Sequence, residues 1–345
     1  MMPTRFQPLS PITDSKRPEG FTIIEMLVST VILAVLVGLL LSILNAGTAM
    51  WTRGTSKIQA FQEARAAYEA MTRKISQATL NIYWGYDTNS TGEPTGYRRK
   101  SELQFVSGPA ATVLGAPALR THAIFFQSPL GYTTNASLRP LQSLLVAAGY
   151  FLEFGTDSSE RPGFLGGSTT ERWRFRLREL WQPSESLTIY GGTPNATLPA
   201  SWYSTNSTAR LAENVIALVI RPRLPQTEDT SGNALLSSGF LYNSAASNTY
   251  TATGAGGEVS TGNTLNQLPP VVQVIMVCID EKSAARVANG STIPDFGISE
   301  WSNLFVDPDK LTDDLRTLEA ALVAKSMTYQ IFDSLVPIEG AKWSR

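Results

Sequence analysis

The sequence predicts an α+β protein in which a long N-terminal helix packs against an antiparallel β-sheet domain. Three observations carry this. Between residues 21 and 44, Glu25 is the only charged residue in a run otherwise built of apolar and small side chains. Beyond it, Ile58, Phe61, Tyr68, Met71 and Ile75 recur at helical spacing and form one apolar stripe. The remainder carries most of the 26 glycines and 20 prolines, abundant Ser, Thr and Asn, and short apolar or alternating runs of the kind that form strands.

The helix is expected from about residue 21 to about 77, with residues 21–44 as its transmembrane half and 45–78 as its amphipathic half. At about 1.5 Å per residue, the first 24 residues alone span roughly 36 Å, enough to cross a hydrocarbon core. Arg53, Lys57, Glu63, Arg65, Glu69, Arg73 and Lys74 largely fill the faces away from the stripe, and Gly38, Gly47 and Gly54 are points where such a helix bends most easily. Arg5, Lys16 and Arg17 precede the apolar run, and basic residues there hold that end in the cytoplasm while the bulk of the chain is translocated. A cleaved secretory peptide has an apolar core of only about 7–15 residues and a small-residue cleavage site after it, neither of which is present. A plain signal anchor leaves Glu25 unexplained. An acidic side chain within a membrane segment costs about 2.5–3.5 kcal/mol on insertion scales, so it marks a function and calls for a cationic partner.

Residues 79–345 form the expected β-rich domain. Residues 81–99 read as a polar turn region. Strands are expected at 102–106, 122–127, 144–154, 172–181, 216–223 and 271–279, with a last one near 327–338 and an aromatic anchor at Trp343. Residues 226–266, rich in Ser, Gly, Thr and Asn, read as a long mobile loop insertion. Residues 309–327 read as a helix, with Leu311, Leu315, Leu318 and Leu322 as its stripe and Thr312 as its cap. In residues 172–178, Arg172, Arg174, Arg176 and Arg178 alternate with Trp173, Phe175 and Leu177. Four like charges on one strand face need counter-charges across the sheet. The alternatives are a face solvated beside acidic neighbours and a patch for an acidic partner or nucleic acid.

Composition narrows the function. Net charge is −1 and 17% of residues are charged, which gives no global footprint for nucleic acid. The single cysteine, Cys278, excludes an intrachain disulfide and lies in a buried-strand pattern. The single histidine, His122, lies in another, with no partners marked for a zinc site or a catalytic triad. No phosphate-binding loop, dinucleotide fingerprint or nucleophile elbow is present, so neither an enzyme nor a cofactor is expected. Asp307, Asp309, Asp313 and Asp314 cluster before the late helix; their carboxylates suit capping and solvation, or calcium, though not at EF-hand spacing.

The stretch Gly20-Phe21-Thr22-Ile23-Ile24-Glu25-Met26-Leu27-Val28 resembles, at every position of the core motif, the processing and methylation signal of type IV prepilins and type II secretion pseudopilins. The resemblance implies a pilin-like fold and a leader of residues 1–20. It implies cleavage after Gly20 by prepilin peptidase, N-methylation of Phe21, and a role for Glu25 in assembly, its carboxylate meeting the terminal amine of a neighbouring subunit. The implied partners are that peptidase, other pilin or pseudopilin subunits, the inner-membrane assembly platform and the membrane itself. The implied address is the inner membrane, with the N-terminus cytoplasmic and the C-terminal domain periplasmic. Residues 211–216 and then 268–271 before a strand resemble the larger J-type and PilW-like minor members, and the length and closing segment resemble prepilin-like cassette proteins of verrucomicrobia. The expected function is that of a non-enzymatic minor pilin or pseudopilin. The alternative is a membrane-anchored pilin-like module that captures DNA or an exported substrate. Pseudopilins of some types carry calcium late in the chain, which is what makes Asp307, Asp309 and Asp313 candidates.

Overall fold

The computed structural model describes residues 20, 22–116, 121–165, 170–187, 207–232, 234–237, 239–299 and 301–341. The leader through residue 19, Phe21 and the anchor expected at Trp343 lie outside them, as does the Ile58 side chain. Two compact units are present, Met1–Ser56 and Lys57–Arg345.

Helix α1 (Ile23–Ser76) begins in the first unit and runs without a break through Gly38, Gly47 and Gly54. Its Ile23–Trp51 segment is 29 residues long, enough by length and composition to cross a membrane. This exceeds the expected 21–44. Asn45 and Thr48 carry no charge, and the Thr48 hydroxyl returns to the Leu44 carbonyl at 2.9 Å, so neither ends the apolar stretch. Ile23, Leu27, Leu33, Leu40 and Ile43 are all more than half exposed, an apolar surface larger than a soluble helix ordinarily leaves to water.

In the second unit the elements are β1 (Tyr83–Thr88), β2 (Pro94–Lys100), β3 (Val106–Pro109), α2 (Ala110–Val113), β4 (His122–Ser128), β5 (Val146–Thr156), β6 (Trp173–Gln182), β7 (Ser207–Glu213), β8 (Val215–Arg223), β9 (Tyr242–Asn243), β10 (Thr249–Thr253), β11 (Val259–Asn263), β12 (Val271–Ile279), α3 (Glu281–Val287), α4 (Leu311–Ala324) and β13 (Tyr329–Pro337). A six-stranded antiparallel sheet has the order β7-β6-β5-β4-β3-β9, a three-stranded one the order β13-β12-β8, and β1-β2 and β10-β11 are separate ribbons.

The α1 stripe does what its period predicts. Tyr68, Met71 and Ile75 are buried, joined by Ala64, Ala67 and Ala78, in a core that includes Phe126, Tyr150, Leu177, Leu218 and Val274 from both sheets. The Tyr68 hydroxyl donates to the Val274 carbonyl at 2.7 Å and lies 2.6 Å from Ser334 Oγ, while its ring stacks on Phe332. Lys74 reaches the buried carboxylate of Glu179 at 2.7 Å and lies over the Trp181 ring. The Ser76 carbonyl, near the helix end, accepts from the Glu339 N–H. Gly340 sits against this end, where a Cβ would stand 2.7 Å from the Ala78 carbonyl oxygen. A second core under α4 gathers Phe175, Ile216, Phe296, Trp301, Leu318 and Leu322, and a third, on the opposite face of the six-stranded sheet, gathers Phe125, Phe151, Leu180 and Leu114.

Several expectations need correction. Residues 102–105 are not strand. The Glu102 and Leu103 amides donate to Asn81 Oδ1, that of Gln104 to Gln127 Oε1 and that of Phe105 to Ser244 Oγ, so side chains take the bonds that a ladder would have made. The polar region at 81–99 holds the ribbon β1-β2, whose Tyr83, Trp84, Tyr86 and Tyr97 favour strand on either side of a turn built on Asn89 Oδ1. Residues 226–266 contain β9, β10 and β11 and bury Leu236, Phe240, Tyr242 and Tyr250; in β10, exposed threonines alternate with buried Tyr250 and Ala252, a strand signal hidden in a polar composition. The late helix is not capped by Thr312. Asp307 caps a 3-10 turn, Pro308–Lys310, that leads into α4.

Candidate functional site

The N-terminal signal is built on the first turn of α1. Gly20 is exposed, with no neighbour within 4 Å of where a Cβ would stand. Thr22 immediately precedes the helix. Its backbone N–H and hydroxyl both donate to Glu25 Oε2, at 2.9 and 3.0 Å, and the Glu25 N–H points back to Thr22 Oγ1 at 3.4 Å. This is a capping box: each residue satisfies an orphan group of the other at a helix start. Glu25 is the only acidic or basic residue between Ile23 and Trp51. The sequence reading gave Glu25 one task, and the structure adds a second while bringing in Thr22; the Thr-x-x-Glu spacing was the signal that could have identified it.

The four-arginine face is paired, not solvated. Arg176 is 1% exposed; its Nη1 donates to the Gly155 and Thr156 carbonyls at 2.7 and 3.0 Å, and its Nε reaches Glu213 at 3.5 Å. Arg174 pairs with Glu281 at 2.8 Å, and Arg178 with Glu153 and Glu160 at 2.6 and 2.5 Å. Arg172, half exposed, bridges Asp157, Glu281 and Glu213. Burial of Asp157 works against ionisation, but the Arg172 N–H and the guanidinium groups of Arg161 and Arg172 outweigh it and hold its carboxyl well below the usual range. The counter-charges demanded by four adjacent arginines therefore come from β5, β7, α3 and the turn after β5. The face offers a polyanion no unneutralised row.

His122 is fully buried and acts as a strut between the sheets. Its Nδ1 accepts from the Ile220 N–H at 2.9 Å, and its Nε2 donates to the Phe305 carbonyl at 2.8 Å. With Thr121 Oγ1 accepting from the Leu218 N–H at 3.2 Å, it satisfies the edge of β8 that no strand covers. That edge presents the even-numbered amides, which is why Pro222, lacking one, is tolerated there. Burial pushes the imidazole down to about 4, against the carbonyl bonds that favour its charged form. The unfolded chain takes up a proton near pH 6.5 and the folded chain only near 4, so stability falls with pH across that window, by about 3 kcal/mol at pH 4. Unfolding of His122→Gln, followed from pH 7 to pH 4, is expected to lack this part of the slope seen in the parent.

Cys278 is buried, donates weakly to the Gln330 carbonyl at 3.6 Å, and has its thiol pushed up to about 12 by burial, the signature of an unreactive core residue. The calcium candidates are engaged separately. Asp307 accepts from the Asp309 N–H, Asp313 pairs with Arg316, and Asp314 accepts from the Phe305 N–H. Among the described residues, no three His, Cys, Asp or Glu side chains come together as a metal ligand set.

No curated protein and no solved structure matches the chain. Residues 15–41 match the family model of the prokaryotic N-terminal methylation motif, a span that takes in Gly20, Phe21, the Thr22–Glu25 box and most of the apolar run. The chain therefore carries a prepilin-type signal at the head of the one helix, among the described residues, that is long and apolar enough to cross a membrane, the mark of a pilin-like precursor.

Proposed function

We propose that this chain is a non-enzymatic minor pilin or pseudopilin, cut after Gly20 by prepilin peptidase, methylated on Phe21 and assembled into a type IV pilus-like or type II secretion pseudopilus. The observation that carries the reading is the lone carboxylate of Glu25 at the head of the otherwise uncharged Ile23–Trp51 segment of α1, within a matched methylation motif. A carboxylate at that depth is stabilised by a cation, and the methylated terminal ammonium of a neighbouring subunit supplies one at similar depth. The exposed apolar surface of α1 then has two successive environments, the inner membrane and the helical centre of a filament. The size of the second unit favours a minor or tip position, because a domain this bulky packs poorly at every step of a filament. The basic leader favours a cytoplasmic N-terminus and a periplasmic domain, with the inner-membrane platform as the site of assembly.

The intact mass of the membrane-extracted chain, made with and without prepilin peptidase, tests this. With the peptidase, the chain is expected to begin at Phe21 and to carry one added methyl group; without it, at Met1. A chain that begins at Met1 in both, or that is cut near residue 45, overturns the reading.

A further inference from the structure

The ribbon β1-β2 exposes more aromatic surface than its own folding uses. Tyr83, Trp84, Tyr86 and Tyr97 are 44, 68, 53 and 70% exposed. Trp84 and Tyr86 are two residues apart and share a face; across the ribbon, Arg99 stands opposite Trp84 and Tyr97 opposite Tyr86. The rings of Tyr86 and Tyr97 lie 4.8 Å apart. The neighbouring ribbon β10-β11 behaves in the ordinary way, turning Tyr250 into the core and leaving Thr249, Thr251 and Thr253 outside. Between the two ribbons runs a cleft of about 520 Å³, with Trp84, Tyr97, Arg98 and Arg99 on one side and Thr249, Thr261 and Asn263 on the other. The ribbons are tied at one end, where Asn266 Nδ2 donates to the Arg99 carbonyl at 2.6 Å and Arg99 Nη2 reaches the Asn263 carbonyl at 3.5 Å.

We propose that this cleft binds a neutral polysaccharide chain of β-1,4-linked, gluco-configured sugars. Such sugars carry their substituents equatorially, so each ring presents a flat C–H face that stacks on an exposed aromatic ring, and a rim of hydroxyls that needs hydrogen-bond partners. Trp84 and Tyr97 supply the aromatic faces. The hydroxyls of Thr249 and Thr261 and the Trp84 indole N–H, none of which has a partner among the described residues, supply the bonds. The local cations are already engaged: Arg98 pairs with Asp87 at 3.0 Å, Lys100 folds back to the Tyr86 carbonyl at 2.7 Å, and Arg99 holds the cleft's end. This balance fits a neutral chain and gives a polyanion little to neutralise. The site is a ligand surface on the second unit and does not depend on how the N-terminus is processed.

Titration calorimetry of the full chain in detergent tests the assignment, with cellohexaose, chitohexaose and an oligothymidylate as probes. Saturable binding of at least one hexasaccharide is expected, insensitive to salt and weakened about tenfold or more by Trp84→Ala or Tyr97→Ala, since each removes a stacking face. Both side chains lie outside the cores, so unfolding temperatures are expected to be unchanged. Failure of both hexasaccharides to bind, or binding that survives the double variant, overturns the proposal. Oligothymidylate binding that falls steeply with salt and is lost in Trp84→Ala, with no hexasaccharide binding, reassigns the cleft to single-stranded nucleic acid. The proposal falls in that case too, and the filament reading stands untouched by any of these results.

Discussion

A Glu25→Ala chain is expected to be cleaved and methylated like the parent and yet to be absent from assembled fibres. On the proposed reading, the carboxylate has two tasks with different magnitudes. As half of the capping box with Thr22, it steadies the helix start, and a 54-residue helix tolerates that loss by fraying one turn. As partner to a neighbour's terminal ammonium in an apolar filament centre, its removal leaves a buried charge unpaired, at about 3–5 kcal/mol per contact. That is at least two orders of magnitude in each subunit's association. Thr22→Val separates the tasks, because it removes the hydroxyl side of the box and keeps the charge. Its incorporation into fibres, read by fractionation and immunoblotting, is expected to fall by less than about tenfold. If Thr22→Val abolishes incorporation as fully as Glu25→Ala does, the cap and not the charge is what assembly needs.

Arg176→Met is expected to destabilise the second unit by about 3–5 kcal/mol, a drop of roughly 10 °C in the unfolding temperature of the full chain. The methionine fills much of the volume but donates nothing. It strands the Gly155 and Thr156 carbonyls, which the guanidinium bonds at 2.7 and 3.0 Å, and removes one of the cations around Glu213. Arg176→Lys is expected to recover less than half, since an ammonium is a point donor and cannot span two carbonyls and a carboxylate at once. A loss below about 1 kcal/mol for Arg176→Met would show that the charged face behaves as a screened surface, despite its burial.

What was legible in the sequence followed period and burial. The helix stripe at Tyr68, Met71 and Ile75 and the largely apolar strands β8 and β12 were readable because each residue's place depends mainly on its neighbours in the chain. Residues 102–105 were not readable, because the bonds that keep them out of the ladder come from Asn81, Gln127 and Ser244, up to 139 residues away. The ribbon β10-β11 was masked by its threonines and glycines, which suit a strand whose outer face meets water but are counted as loop in a composition average. The arginine strand was legible in its demand for counter-charge. Its burial was not, because Glu213 and Glu281 arrive from β7 and α3. At the N-terminal signal the motif was plain, whereas the capping role of Thr22 needed the first turn in three dimensions.

The docking of α1 also dictates an order of events. Tyr68 bonds Ser334, 266 residues later, and the Ser76 carbonyl waits for Glu339. Loop closure over such a distance is slow to nucleate, so the part of the stripe that meets Phe332 and Ser334 stays uncovered until the last strand has emerged and paired with β12. On the proposed topology, the second unit is therefore expected to complete its folding only after translocation. On the proposed topology, the stripe from Phe61 to Ile75 is, during export, a binding site in search of an occupant, and so a target for whatever holdase works on that side of the membrane.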